Sequence, residues 1–172
     1  MAVLPQPHAA HPRIVVMGIG NTLLSDEGVG VHAIEHLRND PDTEPALALV
    51  DGGTLSFSLL PLLLEADALI VIDAAQLNLA PGAVRRFTGP RMDRLVRGGI
   101  RTVHEVGLKE LLDMARLEGR LPRRRAVIAV QPATLDWGMA LTPPVAATLV
   151  PVSLMVHRIA QRWRALLPAP VA

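Results

Sequence analysis

Short runs of consecutive apolar residues alternate along the chain with longer segments in which apolar positions recur at helical spacing. Ile14-Val15-Val16-Met17 is closed by glycines, and Ala46–Val50, Ala68–Ile72 and Ala126–Val130 are runs of the same kind. Brief, uninterrupted apolar segments bounded by turn residues are the pattern of strands buried on both faces. Ala83–Phe87, which follows Pro81-Gly82, predicts a shorter strand at an edge. Between the strands, Ser25 is placed to cap a helix running to about Arg38, with Val29, Ala33, Ile34 and Leu37 on one face and Pro41 stopping it. Thr54 or Ser56 would start an apolar helix to about Glu65. Glu105–Leu117 is amphipathic and ended by Gly119, and a last helix is expected from near Pro144 to about Leu166. No element is assigned to Arg91–Gly99. This alternation predicts an α/β fold, a three-layer domain with a largely parallel sheet and helices on both faces. Ligands bind such sheets beyond the carboxyl ends of the strands, where Glu27, Asp51, Asp73 and His104 are all expected.

Composition narrows the picture. A chain of 172 residues suits one domain, taken as residues 13–167, behind a loose tail at 1–12 that lacks an apolar segment of signal-peptide length. Half the residues are hydrophobic and only 2% aromatic, so the core must be aliphatic. The balance of 17 basic and 16 acidic side chains gives no field that would draw the chain onto nucleic acid. The basic run Arg120–Arg125 has no interleaved aromatics for stacking bases and is read as a solvated loop. Leu55–Ala75 has a membrane-like composition, but Pro61, Glu65, Asp67 and Asp73 interrupt it, so no membrane insertion is expected. The absence of cysteine removes disulfides, thiolate metal sites and a cysteine nucleophile, and a cytoplasmic setting fits it. A monomer is the expectation, though no feature of the sequence sets the oligomeric state.

Several motifs offer chemistry. Gly18-x-Gly20 opens like a dinucleotide loop, yet Leu23 stands where the third glycine belongs, and the loop adds Asp26 and Glu27, which would repel a phosphate. His32-Ala33-Ile34-Glu35-His36 matches a zinc-protease pattern, but at 100° per residue Glu35 points away from the face formed by Val29, Ala33 and Leu37. Two surface histidines are the preferred reading. No G-x-S-x-G elbow occurs, and the serines are explained as caps or loop residues. Glu27, Asp73 and His104 differ because they come from separate elements that a parallel sheet would bring to one edge. Singly, each has an ordinary explanation: a helix dipole for Glu27, loop amides for Asp73, a cap for His104. Jointly they offer two carboxylates and an imidazole, a donor set suited to a borderline divalent metal such as nickel or zinc.

Gly18-Ile19-Gly20-Asn21 with Asp26-Glu27-Gly28-Val29-Gly30-Val31, then Asp51-Gly52-Gly53-Thr54, Ile70-Val71-Ile72-Asp73-Ala74, His104-Glu105-Val106-Gly107 and Gln131-Pro132 follow one another in an order that resembles the maturation endopeptidases of nickel-iron hydrogenases. The resemblance covers Ile14 to about Trp163. It implies an α/β peptidase domain that removes a C-terminal extension from a hydrogenase large-subunit precursor once nickel has been inserted. Glu27, Asp73 and His104 would be the metal-contacting residues, and nickel would be carried by the substrate rather than permanently bound. Family members are often classed with aspartic-type endopeptidases, and Asp73 is the candidate for a catalytic base as well. The alternative is a non-catalytic, nickel-dependent chaperone or binding module for the same precursor. Many relatives carry a further acid and an aromatic after Asp73-Ala74, where Ala75-Gln76-Leu77 stands here.

Overall fold

The computed structural model describes residues 13–54, 57–99 and 105–167. Five strands form one sheet: β1 (Ile14–Ile19), β2 (Leu47–Gly53), β3 (Ala68–Ala74), β4 (Val84–Thr88) and β5 (Arg124–Val130). Their order is β2-β1-β3-β5-β4, with every pairing parallel except that of β4 with β5. The expected α/β class and parallel sheet are therefore found, with Ala83–Phe87 displaced by one residue as the antiparallel edge strand. Its Arg85 and Arg86 are exposed, and charge on an edge strand discourages pairing with another chain.

The helices are α1 (Val29–Asn39), entered through a 3-10 turn at Ser25–Gly28; α2 (Leu60–Leu64), entered through a 3-10 turn at Phe57–Leu59; α3 (Pro90–Arg94), leading into a wide turn at Leu95–Gly99; α4 (Glu105–Leu117); α5 (Pro143–Ala146); and α6 (Leu149–Arg164). Side chains alternate across each strand and so build two cores. On one face, Ile14, Val16, Ile70, Ile72, Ile128 and Val130 meet Val29, Ala33, Ile34 and Leu37 of α1 and Val152, Val156, Ile159 and Trp163 of α6. On the other, Val15, Met17, Leu69, Val71 and Val127 meet Leu62 and Leu63 of α2, Met92 of α3 and Leu108, Leu111, Leu112 and Ala115 of α4.

Three expectations are corrected. The helix foreseen from residue 54 or 56 is reduced to a 3-10 turn and five residues of α2, with Ser56 outside the described residues. The final helix is broken at Ala147-Thr148. Pro151 explains this, since its ring would clash with the carbonyl of Ala147 in a continuous helix but is accepted in the first turn of a new one. The basic run is not merely solvated: Arg124 and Arg125 begin β5, and the Arg125 guanidinium grips Asp93 of α3 at 2.8 and 2.5 Å. Among the described residues, Pro143–Arg164 alone has the length and composition to cross a membrane, but α6 lays Val152, Val156, Ile159 and Trp163 against the sheet.

The chain leaves β1 towards β2 on one side and reaches β3 on the other. The crevice between the carboxyl ends of β1 and β3 is thus the point where strand order reverses, the usual ligand position in an open α/β sheet.

Candidate functional site

Glycines seat the first turn after β1 directly on the strand ends. A Cβ on Gly18 would lie 2.0 Å from the Gly30 carbonyl oxygen, one on Gly20 2.0 Å from that of Glu27, and one on Gly30 2.2 and 2.3 Å from those of Ile19 and Ile72. The glycine pattern therefore serves close approach of α1 to β1 and β3. Glu27, in the turn entering α1, is 2% exposed, and the turn packs against β3.

Asp73 is 1% exposed. It lies within β3, in register with Ala129 of β5, rather than beyond the strand as the sequence suggested. Two residues after Val71, it belongs to the face covered by α4. Helix α4 descends to the start of β5 and so begins at the carboxyl edge, its first residue being Glu105. His104 lies outside the described residues. Among those described, no three His, Cys, Asp or Glu side chains gather as a metal-binding group. Asp51 is exposed at the end of β2, where it accepts the Gly53 N–H at 2.9 Å in an Asx turn.

Asp26 carries a role that its sequence position did not disclose. Fully buried, it accepts the N–H groups of Ala133 at 2.8 Å, Thr134 at 3.3 Å and Thr142 at 2.7 Å, and the Thr142 hydroxyl at 2.8 Å. It fastens the 131–142 loop to the turn that bears Glu27. Ser25 is not a helix cap. Its backbone takes φ +49°, its N–H donates to the Gly138 carbonyl at 2.7 Å, and its hydroxyl donates to the Asp136 carbonyl at 3.0 Å. A non-glycine residue in the left-handed region is held there only by such surroundings. Gln131 organises the neighbouring loop, accepting the Leu77 N–H at 2.7 Å and donating to the Gln76 side chain at 3.0 Å.

The zinc-like H-x-x-E-H pattern is not assembled as a site. Glu35 is exposed as expected, while His32 and His36 are half-buried rather than fully on the surface. Two carboxylates away from the carboxyl edge are perturbed. Arg125's hydrogen bonds, outweighing burial and assisted by the charges of Arg116 and Arg97, hold Asp93 below its ordinary value of 3.8. Burial pushes Asp113 upward, but Lys109, Arg97 and Arg116 together bring it below 3.8.

Residues 31–159 match the family model for hydrogenase maturation proteases, HycI. The chain is 36% identical over 152 residues to the hydrogenase expression/formation protein HupD of Bradyrhizobium diazoefficiens, covering 88% of this chain and 79% of that one. It is 33% identical over 140 residues to the hydrogenase 2 maturation protease of Escherichia coli K12, covering 81% and 85% respectively. Its fold is similar to that of the E. coli hydrogenase maturating endopeptidase HybD, with a TM-score of 0.76 and 32% identity over 84% of this chain and 89% of that one.

Proposed function

The chain belongs to the hydrogenase maturation protease family, and from that premise we propose that it removes a C-terminal extension from a nickel-iron hydrogenase large-subunit precursor after nickel insertion. The observation that carries this reading is the burial of two carboxylates, Glu27 and Asp73, on packed elements at the β1/β3 reversal of a hydrolase fold. Helix α4 starts one residue after His104, at the same edge and on the face to which Asp73 belongs. Carboxylate oxygens with one imidazole suit a borderline divalent ion. They supply fewer ligands than such an ion takes, so the remainder would come from the substrate that carries it.

In this reading Glu27, Asp73 and His104 recognise nickel as cargo of the precursor, and recognition doubles as a check that the metal centre has been filled. Peptide hydrolysis needs a group to take a proton from water and return it to the departing amine. Asp73 is assigned that role. Bound metal would polarise the scissile carbonyl as a Lewis acid. The large-subunit precursor is the partner, and the cytoplasm the setting.

The test is to incubate the purified protein with nickel-loaded and nickel-free precursor and to follow precursor mass. Only the loaded form should shorten, by one C-terminal segment. Asp73→Asn should remove processing without loss of fold, and Glu35→Gln should leave it nearly intact. Equal cleavage of both precursors would refute nickel recognition; binding with no cleavage would favour a nickel-dependent binding module instead.

A further inference from the structure

An apolar surface adjoins the candidate site and has no role in the fold. Trp137 is 83% exposed, Met139 75% and Leu23 48%. The chain holds only four aromatic rings, two Trp and two Phe, so leaving a tryptophan open is conspicuous where Trp163 is packed into the core. The two segments that bear them run side by side, because Leu24 and Gly138 pair as an isolated parallel bridge, with the Gly138 N–H donating to the Leu23 carbonyl at 3.0 Å. Leu23 and Trp137 precede that bridge on its two strands, and Met139 follows it.

The surface is held in place. Asp26 binds the loop at Ala133, Thr134 and Thr142, and the Ser25 hydroxyl holds Asp136. An aromatic ring on a pinned loop loses little conformational freedom on docking, which is what makes such rings effective anchors. The loop leaves β5 after Val130, whose register partner on β3 is Ala74, the residue following Asp73. The loop that bears Trp137 and Met139 therefore starts from the edge that carries the two buried carboxylates, and Leu23 lies in the turn that leads to Glu27.

We propose that Leu23, Trp137 and Met139 form a landing surface for an apolar stretch of the polypeptide substrate beside the scissile bond. The proposal rests on the proteolytic reading given above. A second copy of this chain is the rival occupant. Three side chains offer much less than the ~800 Å² that each partner contributes to a standard stable interface, whereas a few anchors suffice for a short-lived enzyme–substrate contact.

The test uses the full chain with nickel-loaded precursor. Trp137→Ala should raise KM about thirtyfold, the loss of one interface anchor, with kcat within about twofold. Trp137→Phe should restore most of the affinity. Leu117→Ser, which alters an 87%-exposed leucine at the far end of α4, should change neither constant. Binding of uncleaved precursor to Asp73→Asn should weaken by the same factor when Trp137→Ala is added. An unchanged KM in the Leu23→Ser/Trp137→Ala double variant would overturn the proposal, as would a dimer that Trp137→Ala splits with no change in KM. Trp137-dependent binding of precursor without cleavage by the unaltered protein would keep the landing surface and sink the protease reading. Neither binding nor cleavage would remove both.

Discussion

Replacing Asp26 by Ala takes away one carboxylate and leaves three backbone N–H groups and one hydroxyl to find other partners. A buried donor left unsatisfied costs about 1–3 kcal/mol. Ala133 is exposed while Thr134 and Thr142 are half-buried, so part of that cost is recovered by water once the loop swings outward. The net loss should be about 2–4 kcal/mol, a large share of the roughly 5–15 kcal/mol that holds a domain folded. For a chain of this length that lowers the melting temperature by about 6–12 °C. Asp26→Asn keeps the shape but turns one acceptor into a donor, so it should fall between Ala and the unaltered chain. The assay is urea and thermal unfolding of the three proteins, with precursor processing measured alongside. Because Asp26 acts as a fastener, processing by Asp26→Asn should fall no further than its loop loosens, and low temperature should recover it. A loss of stability below about 1 kcal/mol for Asp26→Ala would refute the clamp. So would an Asn variant of full stability and no activity, which would make Asp26 a reacting group.

Gly18→Ala should cost more than about 3 kcal/mol and yield little folded protein on expression, because the added methyl meets the Gly30 carbonyl oxygen, a backbone atom that cannot turn aside; normal expression and melting would contradict the close packing. Asp93→Asn should destabilise by about 1–3 kcal/mol at neutral pH through weakened pairing with Arg125. Asp93 is depressed in the folded state, so its contribution is fully present above the unfolded value of 3.8 and fades as pH falls through the lower folded value. Urea unfolding at pH 7, 5 and 3 checks this, and a gap between the two proteins that stays unchanged at the lowest pH would contradict it.

The strands were readable because burial on both faces demands uninterrupted aliphatic runs, and Ile14–Met17, Ala68–Ile72 and Ala126–Val130 lie inside β1, β3 and β5. The helical face of Val29, Ala33, Ile34 and Leu37 was readable from period alone, and the same period placed Glu35 in solvent. The break before α6 was written in the sequence at Pro151 but outweighed by the apolar stretch around it. Asp26 was not readable as a clamp, because its partners lie more than a hundred residues away and, apart from the Thr142 hydroxyl, are backbone groups with no side-chain signature. Trp137 gave no signal either, since exposure of a single aromatic depends on where its loop is tied. Of the proposed site, local pattern indicated Glu27 and Asp73 as members of strand-end segments, while the packing of the turn that bears Glu27 against β3 depends on strand order, which no local pattern encodes.

The contact between Gly18 and Gly30 also determines where compliance can reside. The turn bearing Glu27 rests on peptide groups of β1 and β3, and Asp73 is part of a central strand, so neither backbone has slack to take up a mismatch. In the proposed reading the two carboxylates behave as the fixed jaws of a caliper. An object of the wrong size is then rejected rather than accommodated, and adjustment falls to the incoming chain. Retuning the gauge for a different cargo would mean changing the length of a side chain at position 27, because the scaffold beneath it cannot be bent.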